Sequence, residues 1–149
     1  MAMATDPRRT GYLMRALGHE LAAVQQYLAQ ASLTGMWQLG NHSSRFRRDA
    51  EEELEHAQQL IERMLVLGIP SNGTQLPPIR LGRTLEEMLL IDRVLEIEVI
   101  RLYEEAAHYC ARMRDGETQA LFAGLLQDEL GHLRDLDRML TEIHQGATS

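Results

Sequence analysis

Four residues of this chain recur as a set: Glu20, Tyr27, Glu53 and His56 reappear, type for type, as Glu96, Tyr103, Glu129 and His132, each displaced by the same 76 positions. An interval shared by all four members leaves few folds open. The chain must contain two segments of one plan, and both must bring their glutamates and histidine to one place. Two separate glutamates plus two Glu-x-x-His pairs form the donor set of a dinuclear metal site inside a four-helix bundle.

The composition agrees. Aromatic residues are only 5% of the 149, and the chain is rich in Leu, Ala, Glu and Gln, which favour helix over strand. The reading is all-α. Leu13, Leu17, Leu21, Val24, Leu28 and Ala31 recur at helical spacing, predicting a first helix over about 11–39 that breaks at Gly40 and Asn41. A second, over about 43–67, carries Ala50, Leu54, Ala57, Leu60, Ile61 and Met64 and stops at Gly68 with Pro70 beyond. Residues 69–83 hold three prolines with Gly73 and Gly82 and cannot be regular helix. Extended, a segment of this length reaches up to about 50 Å against about 39 Å for a 26-residue helix, enough for a crossover along the whole bundle. Thr84 caps a third helix over about 84–114, Asp115 and Gly116 turn the chain, and a fourth runs over about 117–143 with a frayed polar tail from Gln145 to Ser149. Gly40 and Gly116 are also 76 apart, so the repeat is one of helical hairpins, and the chain reads as a single domain.

On a helix Glu53 and His56 lie about 60° apart and about 4.5 Å along the axis, so both reach one interior point. Folding about Gly40 brings Glu20 level with them, and folding about Gly116 does the same for Glu96 with Glu129 and His132. Four inward carboxylates without cations would cost several kcal/mol each. No Lys or Arg shares their stripe, whereas two divalent ions would neutralise them, with His56 and His132 as neutral imidazole ligands. Mixed oxygen and nitrogen donors suit iron or manganese, with zinc left open. A lone Glu-x-x-His pair on a charged helix is ordinarily a solvated pair; two of them, each with a glutamate 33 residues upstream, are not. Tyr27 and Tyr103 read as core tyrosines bonded to a ligand carboxylate. His19, His42, His108 and His144 read as surface residues, and Cys110 as a small hydrophobe.

A net charge of −7 argues against nucleic acid or an anionic membrane as the partner. No run of about 18 apolar residues is present to span a membrane. One cysteine and no secretory-type stretch in the first eleven residues place the chain in the cytoplasm.

With these residues in place, the chain resembles bacterioferritin from about Tyr12 to Leu140. GHELAAVQQY around Glu20, EEELEHAQQLIERMLVLGIP around Glu53, LGRTLEEMLLIDRVLEIE around Glu96 and QDELGHLRDL around Glu129 carry the resemblance. It implies a ferritin-like four-helix bundle with a long crossover between the second and third helices. It also implies a ferroxidase centre with two iron ions per subunit: Glu20 and His56 terminal on one iron, Glu96 and His132 on the other, Glu53 and Glu129 bridging, and Tyr27 beside the centre. Three departures stand out. Leu54 occupies the place of the family's haem-ligating methionine, which argues against haem. Arg48 and Glu52 stand where family members carry a histidine and an acidic residue that assist iron transit. The short fifth helix at the family's four-fold axis has no counterpart before Ser149. The implied homo-oligomer is a shell of 24 subunits, with a dimer, or a shell mixed with a haem-carrying subunit, as alternatives.

The implied function is a ferroxidase that oxidises Fe(II) to Fe(III) with dioxygen or peroxide, for iron storage and detoxification. A rubrerythrin-like peroxidase is the alternative suggested by the paired tyrosines, though no Cys-x-x-Cys module is present. A metal-binding scaffold subunit is the alternative suggested by Leu54.

Overall fold

A computed structural model describes residues 6–70 and 76–148, the last two as backbone alone. Four α-helices account for most of it: α1 (Pro7–Met36), α2 (Gly40–Val66), α3 (Leu85–Arg112) and α4 (Gly116–Thr148). No strand occurs among the described residues. Helices α1 and α2 form one antiparallel hairpin and α3 and α4 the other. Because α2 and α3 run parallel, the chain between them returns along the bundle, as the proline-rich segment predicts. Gly73 and its neighbours in 71–75 lie outside the described residues.

The helix ends differ from the sequence reading in ways that capping explains. α1 begins at Pro7, four residues before the predicted start at 11, because the Asp6 carboxylate accepts from the backbone N–H of Arg8 and Arg9, both at 3.1 Å. Pro7 at the first helical position loses no hydrogen bond. The break after α1 is not at Gly40 and Asn41. It lies over Trp37 to Leu39, where Leu39 N–H bonds Thr34 C=O (2.9 Å), Gln38 N–H bonds Gly35 C=O (3.0 Å), and Gln38 takes φ 63°. The second hairpin repeats this: Asp115 N–H bonds Cys110 C=O (2.9 Å), Arg114 N–H bonds Ala111 C=O (3.1 Å), and Arg114 takes φ 59°. Gly40 and Gly116 are therefore the first residues of α2 and α4. Among the described residues, only at Gly68, after α2, is the left-handed position filled by glycine, at φ 74°. At the far end of α4, the expected frayed tail is helical through Thr148. Gln and Ala continue a helix readily, and His144 Nε2 meets Glu86 at 2.8 Å, tying this turn to the start of α3. Ser149 lies outside the described residues.

Thr84 caps α3 by accepting from Glu87 N–H at 3.1 Å. Just before it, Gly82 packs so closely on that turn that a Cβ would lie 2.7 Å from the Met88 nitrogen. Gln26, fully buried on α1, grips the crossover through both its amide atoms: Nε2 donates to Arg80 C=O (2.6 Å) and Oε1 accepts from Arg80 N–H (3.0 Å). Two apolar clusters fill the bundle, one on each side of its midpoint. Tyr12, Leu13, Leu17, Leu60, Met64, Tyr103 and Phe122 belong to one, and Ala31, Phe46, Met88, Leu89 and Leu136 to the other. Leu28 and Leu54, expected in the core, are instead 43% and 54% exposed. Tyr27 and Glu53, their chain neighbours, take the inward positions.

Candidate metal centre

Every predicted ligand residue lies at mid-bundle, between the two clusters. Glu20, Glu53, His56, Glu96 and Glu129 are all at most 3% exposed, and the His132 side chain is 12% exposed. Their donor atoms fall into two groups, each within 4.8 Å: Glu20, Glu53, His56 and Glu129 in one, Glu53, Glu96, Glu129 and His132 in the other. Glu53 and Glu129 belong to both.

The imidazoles point the same way in each half. His56 Nδ1 lies 3.0 Å from Glu129, 3.4 Å from Glu20 and 3.7 Å from Glu53. His132 Nδ1 lies 3.2 Å from Glu53, 3.3 Å from Glu129 and 3.8 Å from Glu96. These separations are short, yet the atoms are not aligned on one another. Among the described side chains eleven buried polar atoms have no hydrogen-bond partner, and seven belong to this cluster: Glu20 Oε2, Glu53 Oε1, His56 Nδ1, Glu96 Oε2, both Glu129 oxygens and His132 Nδ1. Buried polar atoms are nearly always paired. Seven that converge without pairing face common centres, which is how a ligand cage is arranged.

The outer nitrogens are held by carboxylates that sequence reasoning assigned no role in holding the histidines. His56 Nε2 meets Asp128 at 2.9 Å, and His132 Nε2 meets Glu52 in a very short contact. Each carboxylate immediately precedes a shared glutamate of the opposite hairpin, and Glu52 and Asp128 are themselves 76 apart. The repeat thus contained this signal. Such a partner fixes the ring and leaves Nδ1 as the inward donor. The tyrosines cross over in the same manner: Tyr27 donates to Glu96 at 2.6 Å, and Tyr103 donates to Glu20 in a very short bond. Asp49 completes a third, half-exposed group with Glu52 and His132 between α2 and α4, while Arg48 faces solvent.

Electrostatics match four carboxylates gathered without cationic side chains. Burial, reinforced by Glu20 and Glu129, pushes Glu53 well above the usual carboxylate range; burial and Glu129 do the same to Glu96. Burial raises Glu129 too, but the neighbouring Glu96 carboxyl and the two histidines outweigh it and hold that carboxyl low. Burial alone would lower the His56 pKa, but Glu129 and Glu20 lift it to about 11, and His132 is raised in the same manner. Protons here stand where cations would. The donor set fits a pair of first-row divalent ions: four carboxylates balance two double charges, the nitrogens are borderline donors, and no thiolate is present.

Known proteins share both fold and site region. The family model for the ferritin-like domain matches residues 10–145. Bacterioferritin of Rhodobacter capsulatus is 33% identical over 139 residues, covering 93% of this chain and 86% of that one. The bacterial ferritin of a Synechocystis species is 34% identical over the same share of the chain and 89% of its own length. The solved Rhodobacter capsulatus bacterioferritin, described with a metal-free dinuclear site and haem iron in a crystallographic special position, superposes with a TM-score of 0.91 at 32% identity, covering 94% of this chain and 88% of that one. No helix among the described residues is long and apolar enough to cross a membrane. With its four-helix bundle, single long crossover and matching sequence over nearly its whole length, this chain belongs to the bacterioferritins within the ferritin-like family.

Proposed function

We propose that the chain is a di-iron ferroxidase that takes up Fe(II) in the cytoplasm and converts it to Fe(III) for storage. The carrying observation is the set of seven unpaired buried donors divided between two groups that share Glu53 and Glu129. Glu20 and His56 would hold one Fe(II), Glu96 and His132 the other, and Glu53 and Glu129 would span both. Each Fe(II) gives up one electron, and one dioxygen accepts both with two protons to leave as hydrogen peroxide. The protein's part is to bind, neutralise and orient. Tyr27 and Tyr103 hold Glu96 and Glu20 in place, while Asp128 and Glu52 fix the two imidazoles.

Metal binding must displace the protons now on this cluster. Uptake should therefore release protons, and affinity should fall on the order of tenfold per pH unit, as pH is lowered, for each proton displaced. Anaerobic titration should show about two Fe(II) bound per chain, followed by oxygen consumption on exposure to air. Glu53→Ala should abolish the fast oxidation phase. Binding without oxygen uptake would leave only the scaffold reading. Faster oxidation by peroxide than by dioxygen would favour the peroxidase reading, but both tyrosine hydroxyls are already engaged in holding ligands.

Leu54 offers no lone pair to a haem iron, so purified protein should lack a haem absorption band unless a haem-carrying subunit joins the shell. Sedimentation tests assembly: a closed shell is expected, and a dimer at all ionic strengths would argue against storage.

A further inference from the structure

A cavity runs from the crossover to the metal centre through the groove between α1 and α3, and its chemistry differs from the other approach to the same centre. Its walls are Ala22, Ala23, Pro78, Ile79, Leu95 and Val99, and it ends on Glu20, Tyr27, Glu53 and Glu96. His19 and Gln26 are the only other polar side chains lining it, and the Gln26 amide is engaged with the backbone of Arg80, the residue after Ile79. Between α2 and α4, by contrast, Asp49 and Glu52 stand beside His132.

We infer that the roofed cavity is the entry and holding site for dioxygen, and that Fe(II) reaches the centre by another way. This rests on the ferroxidase reading. Size and charge both point to it. The free volume is about 30 Å³, room for one or two water-sized molecules. A divalent cation arrives with about six tightly held waters and does not fit; stripped of them, it would meet apolar walls that return none of its hydration energy. Dioxygen is small and uncharged, loses nothing against Ala, Pro, Ile and Val, and leaves the cavity facing Glu20 and Glu96, one terminal ligand of each position, with Glu53 between them. The carboxylates at Asp49 and Glu52 suit the cation in the way these walls do not.

Filling the cavity is the test. Ala22, 8% exposed, lines it without touching the metal cluster through any hydrogen bond, so Ala22→Leu closes the passage and Ala22→Val narrows it. Crystals of the full chain under xenon pressure should show one xenon atom between Ala22 and Val99, lost in Ala22→Leu. In anaerobic stopped-flow experiments, Co(II) and Fe(II) should load all three proteins at equal rate and to about two ions per chain. On mixing with dioxygen, the second-order rate constant of the loaded protein should fall at least tenfold in Ala22→Leu and by an intermediate factor in Ala22→Val. Unchanged dioxygen rates with xenon excluded would overturn the inference. So would slowed metal loading with the dioxygen step unaltered, which would make the cavity the cation's route. If the unmodified, fully loaded protein fails to consume dioxygen, the ferroxidase reading itself fails, and this is seen before any variant is made.

Discussion

The internal two-fold that equates the hairpins also exchanges the ends of the bundle, because α1 and α3 run in opposite directions. Positions 76 apart can therefore be compared across the candidate metal centre. Phe46 matches Phe122, Leu13 matches Leu89, and Leu60 matches Leu136, all buried. Other pairs part company. Gln26, Gln30, Thr34, Asp49 and Asp92 at one end correspond to Leu102, Ala106, Cys110, Leu125 and Ala16 at the other. At the polar end Gln30 Nε2 donates to Asp92 Oδ1 at 2.7 Å, and Thr34 Oγ1 donates to Gln30 C=O at 2.7 Å. Asp92 Oδ2 and Gln30 Oε1 remain without partners. The shared residues at the centre are those the six-donor arrangement requires, while residues a turn or two away are free to diverge. Part of the divergence follows from the crossover, which exists once and so cannot obey the two-fold. Its backbone at Arg80 needs a partner, and Gln26 supplies one. No such need accounts for Asp92, which as a buried, half-satisfied carboxyl lowers stability where its counterpart Ala16 does not.

Copying the polar end onto the apolar one gives the largest expected effect. Leu125, the counterpart of Asp49, is 1% exposed and packed in the larger cluster. Leu125→Asp would bury a carboxylate with no cation beside it and remove a leucine, costing upwards of about 4 kcal/mol. Thermal unfolding followed by circular dichroism should show a collapse of the midpoint. A loss below about 1 kcal/mol would mean that this end is as tolerant of charge as the other.

The converse substitution should stabilise. Burial pushes the Asp92 carboxyl up to about 7, against the Gln30 hydrogen bond and the nearby Gln26 amide, which lower it. The folded state thus holds its proton more tightly than the unfolded state, so stability is unaffected well below pH 4, falls as pH rises from about 4 to about 7, and is flat above. Asp92→Asn removes that slope in the metal-free protein. Its gain at pH 8 is at most about 4 kcal/mol, because the carboxyl titrates roughly three pH units higher in the folded chain than in the unfolded one, and vanishes near pH 3. Denaturant midpoints of the two proteins at both pH values check the sign.

Smaller effects test whether the halves are equivalent at the centre itself. Tyr27→Phe frees Glu96 and Tyr103→Phe frees Glu20, so each should weaken Co(II) binding by about tenfold, at a different one of the two positions. Unequal losses would show that the centre is less symmetric than its ligands.

Sequence and structure agree most closely where interval and periodicity carry chemistry. The six proposed donor residues and the paired tyrosines are brought together at mid-bundle, as their common spacing implied, since helical phase and hairpin register leave them nowhere else to go. Leu28 and Leu54 show the limit. Period alone puts them in the core, but the inward positions beside them belong to Tyr27 and Glu53, and a stripe of width set by apolar residues alone cannot show this. Glu52 and Asp128 were hidden for another reason: a carboxylate in an acidic run reads as solvated until the histidine of the opposite hairpin is seen against it. Gln26 and Asp92 depend on which groove the crossover lies over and on what packs across the bundle, neither of which local pattern encodes.

The turns offer the smallest effect and the sharpest symmetry test. Both sequence glycines sit two residues past the left-handed position, which Gln38 and Arg114 occupy at φ 63° and 59°. A side chain in this conformation costs roughly 1 kcal/mol that glycine does not incur, offset in part by the extra freedom glycine gives the unfolded chain. Gln38→Gly and Arg114→Gly should each stabilise by a few tenths to about 1 kcal/mol. Because the two turns share one hydrogen-bond pattern, the gains should be equal within error and additive in the double variant, the sites lying at opposite ends of the bundle. Chemical denaturation of the four proteins measures this directly. A gain at one turn alone would mean that the other side chain makes contacts, in the folded protein or in the unfolded chain, that outweigh its strained backbone.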